Sequence, residues 1–392
     1  MIGFVPAAGS GAVGGVSVDA QGVLARAKSD EAGDLRQARL AALRVDSTEI
    51  TQPSPLRKIS LRRLEAAIAE HRRLGQPLPD EMQVLAGMQR LQYVFAFPEH
   101  EDIILAGRAE GWRIDDQGNY VGATTARPVL QLADLIVALR AAEAAAVTGV
   151  SCSIEPSAEG VGRLQRLMRQ PGLRMSQTFS RGAEQAVGPQ TIRVKGVSDT
   201  SRFARVMIAA DFLMKRLAMN LERPPVEGLP SYLELVRRDK RRLPRNSLPR
   251  WWMTPHYESV VKSPDSLAWE LCGSSVRALS EESLITEFGG LASSGKAHPV
   301  AEQWAANFTS RFESLSAAIP VFAELQNLMD LSVVAALLAQ QNLSSRCNCP
   351  LSLMLNPAEV RLASYPAARQ IDSQASFVSK GNEWVLAVSG GV

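Results

Sequence analysis

The sequence predicts an α+β fold in which a mixed sheet is layered with helices, and three observations lead to this prediction. Strand patterns alternate with helix patterns over residues 91–225, as in layered domains. A small helical module precedes that region, and a helical hairpin followed by short strands comes after it. The chain has 392 residues, 46 % hydrophobic and 21 % charged, which is enough for two or three domains with substantial cores.

The first 90 residues divide into two predicted segments. Residues 1–24 contain a short β-hairpin, because a turn-rich stretch separates two apolar runs. Residues 25–90 form the helical module. Leucines recur at helical spacing over residues 30–45, and Ser60 is placed to cap a second helix.

Residues 91–225 form the predicted α/β core. Strands are expected on both sides of the turn Pro98–Asp102, and again in two later apolar runs. Ser157 is expected to cap one helix of this core, and Asp199 or Thr200 is expected to cap the next. The alternation of strands and helices is the main support for the fold class.

The rest of the sequence divides into a connection and a second α+β region. Residues 226–250 are rich in proline and arginine, which indicates a linker. Residues 251–392 contain a helical hairpin at 299–341, where both helices have proline near the first turn. A β-rich end follows, with strands expected at Leu351–Leu355 and Glu359–Ala363, among others.

Composition excludes several classes of protein. The net charge of +3 is too small to imply a nucleic-acid partner. Four cysteines are too few for the disulfide framework of a small secreted domain. No apolar run of roughly 18 residues occurs, so no transmembrane segment is predicted. The N-terminus also lacks the basic region of a signal peptide.

Two glycine-rich motifs fall short of nucleotide-binding sites. Gly9, Gly11 and Gly14 have the spacing of a dinucleotide fingerprint, but a strand follows them where a helix is required. The stretch Gly290–Lys296 resembles a phosphate-binding loop, except that Ala297 stands where the motif needs a hydroxyl to bind Mg²⁺. No cofactor is therefore expected.

No metal site is predicted. Cys347 and Cys349 are separated by a single residue, unlike the cysteine pairs that bind zinc, and the four histidines are scattered. The turn at Glu99–Asp102 brings three carboxylates together, but polar residues are normal in a turn between two apolar strands. The sequence favours a solvated turn at this position.

Two groups of charged residues are the candidate sites. The first lies in a helix that is apolar on almost every side, where Asp211 is followed by Lys215 and Arg216. A buried aspartate must be paired or neutralised, so structural pairing of Asp211 with Lys215 is favoured over catalysis. The second is a basic run beside Trp251 and Trp252, which suits either an anionic polymer or a solvated linker. Its candidate residues are Arg237, Arg238, Arg241 and Arg242.

Several long phrases carry a family resemblance. They include YVFAFPEHEDIILAGRAEGW from Tyr93, GVSCSIEPSAEGVGRL from Gly149 and KAHPVAEQWAANFTSRFESL from Lys296. With further phrases over residues 91–340, and with Gly15–Leu24, they resemble a family of uncharacterised planctomycete proteins defined only as a domain of unknown function. The resemblance implies no catalytic residue. It does imply export, because members of that family often carry a signal segment upstream.

Three functions stand as hypotheses. The leading one is a non-catalytic interaction or structural protein, exported or periplasmic and associated with the cell envelope, with another protein as its partner. The second is a hydrolase-type enzyme whose dispersed active site lies near Asp211 or the Glu99–Asp102 turn. The third is a binder of an anionic polymer through Arg237–Arg250. Whether the protein is an enzyme is left open by the sequence.

Overall fold

A computed structural model describes residues 17–18, 28–30, 33–42, 50–241, 247–256, 260–273, 275–285 and 291–388. The structure is 43 % helical and 23 % strand, and its strands form several small, mainly antiparallel sheets. The predicted α+β fold is confirmed.

Thirteen helices and 17 strands lie within the described residues. The helices are α1 (Asp34–Ala42), α2 (Leu61–Arg73), α3 (Asp80–Gln83), α4 (Leu132–Thr148), α5 (Ala158–Met168), α6 (Gln177–Val187), α7 (Arg202–Ala218), α8 (Tyr232–Arg238), α9 (Pro299–Ser310), α10 (Phe312–Ala318), α11 (Pro320–Gln340), α12 (Leu343–Arg346) and α13 (Ser352–Leu355). The strands are β1 (Ser17–Val18), β2 (Lys28–Ser29), β3 (Ser54–Ser60), β4 (Tyr93–Phe97), β5 (Asp102–Ala109), β6 (Trp112–Ile114), β7 (Tyr120–Gly122), β8 (Val150–Glu155), β9 (Gln190–Lys195), β10 (Ser247–His256), β11 (Val260–Lys262), β12 (Ala268–Leu271), β13 (Ser275–Ile285), β14 (Leu291–Ser293), β15 (Gln370–Ile371), β16 (Ala375–Lys380) and β17 (Glu383–Val388).

The largest sheet has six strands in the order β2–β11–β12–β4–β5–β3. All neighbours are antiparallel except β2 and β11, so the sheet is mixed. Its central strands are buried on both faces, with Val94 and Phe95 of β4 both fully covered. Its strand β3 comes from the segment predicted to be a helical module. Ser60 ends that strand and caps α2, as expected, by accepting a hydrogen bond from the Arg63 amide.

A second sheet of four strands, β1–β8–β9–β15, carries helices α5, α6 and α7 between and after its central strands. Ser157 caps α5 as the sequence predicted. The cap of α7 is Ser201, not Asp199 or Thr200, because Ser201 has the extended backbone of a cap residue and accepts the Ala204 amide.

Strands β10, β13 and β14 form a third sheet, which α9 covers. A chain of buried aromatic rings runs through this layer. The ring centroids of Trp251 and Trp304 are 5.2 Å apart, and those of Trp304 and Phe308 are 5.4 Å apart. Phe322, on α11, then lies 5.5 Å from Phe308. These edge-to-face and tilted contacts join the sheet to the helices of the core.

The predicted helical hairpin is three helices. The first predicted helix is interrupted at Arg311, so that α9 packs on β13 and the short α10 packs on α11. By length and composition alone, α11 is the one helix of the described residues that could cross a membrane, and 89 % of its most apolar window is buried within the protein. It contacts α4 and α7 along its length.

Two expected strands near the C-terminus are wrong. Leu351–Leu355 contains the short helix α13, and Glu359–Ala363 has no regular secondary structure. The later strands β16 and β17 do form, and they pair as a hairpin. The predicted N-terminal hairpin lies outside the described residues apart from β1.

Candidate functional site

A cavity of about 680 Å³ opens at one end of the six-stranded sheet, within the size range of ligand pockets. Its walls come from the segment before β4, from the edges of β5 and β12, from the loop after β7 and from the first turn of α10. The residues that line it are Gln89, Arg90, Gln92, Arg108, Thr125, Arg127, Glu270, Leu271, Cys272, Gly273 and Glu313.

The segment before β4 is held tightly against β5. The Gln89 amide donates to the Arg108 carbonyl at 2.8 Å, and the Gln92 amide donates to the Ala106 carbonyl at 2.9 Å. Between these bonds, a Cβ at Gly107 would lie only 1.9 Å from the Arg90 carbonyl oxygen. Only glycine permits this approach, so Gly107 sets the position of the wall that carries Arg90.

A buried carboxylate, Glu110, joins the segment before β4 to the loop after β7. Glu110 Oε1 accepts hydrogen bonds from the Thr125 amide and hydroxyl, at 2.9 Å and 2.8 Å, and from Gln89 Nε2 at 3.1 Å. A Cβ at Gly122 would lie 1.9 Å from the same oxygen. Glu110 therefore fixes Thr125 and Gln89 from behind, and this support keeps the pocket wall in one geometry.

Arg90 is anchored from the core side. Its Nε lies 2.8 Å from Asp330 Oδ2, and the Asp330 side chain, in the middle of α11, is fully buried. Its Nη1 lies 3.7 Å from Glu313 Oε2 at the rim. Arg90 thus neutralises the Asp330 carboxylate inside an apolar helix, and Asp330 in turn fixes the Arg90 guanidinium at the pocket wall.

Arg127 and Arg108 are less well compensated. Burial lowers the pKa of the Arg127 guanidinium from its usual value; Glu313 opposes the shift, and the charges of Arg90 and Arg108 add to it. Glu313 is the nearest carboxylate to Arg127, at 3.9 Å. Arg108 is exposed and forms no ion pair with any described residue. Three guanidinium groups thus share one cavity with incomplete neutralisation.

The other side of the cavity has the opposite charge. Glu270, on β12, accepts a hydrogen bond from the Tyr93 hydroxyl at 3.2 Å. Burial, the Glu270 charge and this hydrogen bond raise the pKa of Tyr93, so the phenol stays protonated as a donor. Within the described residues Glu270 has no ion-pair partner.

The first sequence-predicted site is a buried ion pair whose residues do not line this cavity. Lys215 Nζ lies 2.8 Å from Asp211 Oδ2, with side-chain exposures of 2 % and 0 %. Burial raises the pKa of Asp211 to about 6, against the opposing effect of Lys215. Arg216 is partly exposed and is bound to Glu222 and Gln374. None of these predicted residues lines the cavity.

The second sequence-predicted site is a basic surface at the end of α8. Arg237, Arg238 and Arg241 are exposed, whereas Arg242 lies outside the described residues. The tip of the β16–β17 hairpin joins them, because Lys380 Nζ donates to the Arg241 carbonyl at 2.5 Å. We define the basic surface by five residues: Arg237, Arg238, Lys240, Arg241 and Lys380.

The carboxylates of the Glu99–Asp102 turn all have local partners. Arg39 lies 2.5 Å from Glu99, and Arg62 lies 2.6 Å from Glu101. Asp102 accepts the Ile103 amide at 2.8 Å. Among the described residues no group of three or more His, Cys, Asp or Glu could hold a metal ion.

Gly9, Gly11 and Gly14 lie outside the described residues, whereas the loop that resembles a phosphate-binding loop is described in part. Gly290 lies outside the described residues, while the Gly295 amide donates to Glu281 Oε1 at 2.9 Å. That bond and the cap at His298 account for the loop that resembles a phosphate-binding loop. All four cysteines, including Cys347 and Cys349, lie in the described part of the chain, and none of them forms a disulfide there.

Sequence reasoning missed the cavity because its residues come from five separate parts of the chain. One local signal was present: Arg90 lies beside Gln89, and Arg127 follows Thr125 by two residues. Arginines of this kind are frequent on any surface, so the signal becomes informative only when the fold brings them together.

Residues 152–232 match the model of a family described as a protein of unknown function (DUF1598). The match runs from β8 to the first residue of α8, about a fifth of the chain. It includes Asp211 and Lys215, but no residue that lines the cavity. No curated protein and no solved structure matches the chain.

Proposed function

We propose that this protein binds a small anionic ligand, with a carboxylate or phosphate group, in the cavity lined by Arg90, Arg108 and Arg127. One observation carries the proposal: Arg108 faces the cavity without an ion-pair partner among the described residues. Guanidinium groups present paired N–H donors that match carboxylate and phosphate oxygens. An incoming anion would relieve the repulsion among the three arginines.

The walls support binding because they are held in place without the ligand. Arg90 is fixed by Asp330, and Thr125 is fixed by Glu110. A ligand therefore does not have to order these groups, which lowers the entropic cost of association. Glu313, with a side-chain exposure of 59 %, lies between two arginines and competes with the ligand for them.

Replacing Arg108 by Met is expected to weaken binding of glutarate or inorganic phosphate by about 10-fold to 100-fold, the value of one or two hydrogen bonds to a charged group. Isothermal titration calorimetry at low salt measures the change directly. Arg113→Met is the matched control, because Arg113 is exposed on β6 and does not line the cavity. Equal losses in the two variants would show that binding depends on general charge, and would overturn the proposal.

This proposal includes a non-catalytic interaction role. It also includes the envelope association and the planctomycete relationship that the sequence resemblance implies. The donors that line the cavity suit recognition of an anion. The alternative, a hydrolase with a dispersed site, has weaker support: Asp211 is bound to Lys215, and the Glu99–Asp102 carboxylates each have partners.

A second candidate function is binding of an anionic polymer at the basic surface. This function is supported by four basic residues that are exposed and form no ion pair with described residues: Arg237, Arg238, Lys240 and Arg241. The hairpin beside them carries Trp384, whose side chain is 45 % exposed and packs edge-on against Phe377 at 5.5 Å. An exposed aromatic next to unpaired cations is typical of polyanion-binding surfaces.

We expect that changing Arg237, Arg238 and Arg241 together to Ala makes polyphosphate binding less dependent on salt. The slope of the logarithm of the binding constant against the logarithm of the salt concentration should fall in magnitude by about one for each lost phosphate contact. Fluorescence anisotropy at several salt concentrations measures the slope. The control removes the same charge elsewhere, with Arg169, Arg174 and Arg181 changed to Ala; these residues are also exposed. If both triple variants lose the same slope, the basic surface is not the binding site.

A further inference from the structure

The cavity holds two unpaired charges of opposite sign. Arg108 and Glu270 both line it, and neither forms an ion pair with a described residue. Opposite charges in one small cavity normally reduce each other's cost by pairing. Their separation here leaves one positive and one negative position available to a ligand.

Strand register explains why the two side chains face the same space but remain apart. Glu270 pairs with Tyr93, and Tyr93 pairs with Ala106, so these three residues share one face of the sheet. Arg108 is two residues beyond Ala106 on β5 and lies on that face as well. Strand β4 lies between the strands that carry Arg108 and Glu270, so their backbones are two strand spacings apart across the sheet. They are also offset by two residues along the strands, which gives a backbone separation of roughly 12 Å.

We propose that the ligand is a zwitterion, whose anionic group binds Arg108 and Arg127 and whose ammonium group binds Glu270. This inference rests on the proposed function and names its ligand class. The Tyr93 hydroxyl orients the Glu270 carboxylate by donating to Oε1 at 3.2 Å, which leaves Oε2 for the ammonium. The separation of the two positions favours an ω-amino acid over an α-amino acid, because the charges of an α-amino acid are too close together to reach both.

Glu313 does not compete with Glu270 for the ammonium group. Its carboxylate lies 3.7 Å from Arg90 and 3.9 Å from Arg127, and it accepts a hydrogen bond from Gln326 Nε2 at 2.9 Å. It therefore belongs to the arginine side of the cavity. The two carboxylates of the pocket have different roles, which gives the experiment an internal control.

The test compares ligands of equal length by calorimetry on the full chain. The probes are γ-aminobutyrate with glutarate, and ε-aminocaproate with pimelate. In at least one of these two pairs, the wild type is expected to bind the amino acid about 10-fold more tightly than the dicarboxylate of the same length. Glu270→Gln is expected to abolish that preference while it leaves glutarate affinity unchanged or raised, because the glutamine still accepts the Tyr93 hydrogen bond.

Glu313→Gln is the control variant and is expected to raise the affinity for both ligand classes, since it removes a competitor for the arginines. If dicarboxylates bind as tightly as the amino acids, or if Glu270→Gln weakens both classes equally, the zwitterion inference is wrong while the anion site stands. If no probe binds, or if binding is indifferent to Arg108→Met, the proposed function itself is wrong.

Discussion

Lys215→Met is expected to lower the free energy of unfolding at pH 8 by about 3–5 kcal/mol, because it leaves a buried carboxylate without its partner. Asp211 is fully buried on α7, and its Oδ2 receives the Lys215 ammonium at 2.8 Å. Its other oxygen, Oδ1, is also buried and has no hydrogen-bond partner. The lysine is therefore the main group that stabilises the charged form of Asp211.

The effect of this substitution depends on pH. Burial raises the pKa of Asp211 to about 6 in the folded protein, above the usual value of about 3.9 in an unfolded chain. The folded state thus binds the proton more tightly, so this group contributes stability at low pH that is lost as the pH rises through about 4 to 6. Without Lys215 the pKa rises further, and the loss of stability is larger at pH 8 than at pH 5.

Urea denaturation of the wild type and the variant at pH 5 and pH 8 measures both values. The matched control is the double variant Asp211→Asn with Lys215→Met, which removes both charges and should recover most of the stability at pH 8. A loss that is the same at both pH values, or a double variant no more stable than the single one, would contradict a buried charged pair.

Arg90→Met is expected to lower the free energy of unfolding by about 3–5 kcal/mol, whereas Arg108→Met is expected to change it by less than about 0.5 kcal/mol. Arg90 neutralises Asp330, whose side chain is fully buried on α11. Arg108 is exposed and has no ion pair to lose among the described residues. Both substitutions remove a guanidinium from the same cavity, so the comparison separates stability from binding.

Denaturation and calorimetry on the same three proteins test this separation. The double variant Arg90→Met with Asp330→Leu should be more stable than Arg90→Met alone, because it no longer buries an unpaired carboxylate. If Arg90→Met is as stable as the wild type, then Asp330 does not depend on Arg90. The cavity wall would then lack the anchor on which its geometry rests.

Local features of this protein could be predicted from the sequence. Ser60 and Ser157 cap their helices as expected, because a cap depends only on neighbouring residues. The pairing of Asp211 with Lys215 could be predicted for the same reason, since four residues make one helical turn. The short apolar run Leu351–Leu355 predicts a strand, but the structure has the helix α13 there, because so short a run does not distinguish a strand from a helix.

The candidate site depends on contacts that no local pattern contains. Arg90 and Asp330 are 240 residues apart, and Arg90 looks like an ordinary charged residue in its own segment. Asp330 could be flagged as a charge in an apolar helix, but its partner could not be found without the fold. The close approach at Gly107 is equally invisible, since a glycine in a strand has several possible causes.

The strand order of the six-stranded sheet has a consequence for the order of events during synthesis. Glu270 and Tyr93, which face each other across β12 and β4, are 177 residues apart. Strand β4 can therefore pair with its second neighbour only after β12 has been synthesised. Arg90 can pair with Asp330 only after α11 has been synthesised. Until then the apolar faces of β4 and β5 stay exposed on the nascent chain. Such long-range closure makes folding slow and exposes the chain to aggregation, so we expect this protein to need chaperones during translation.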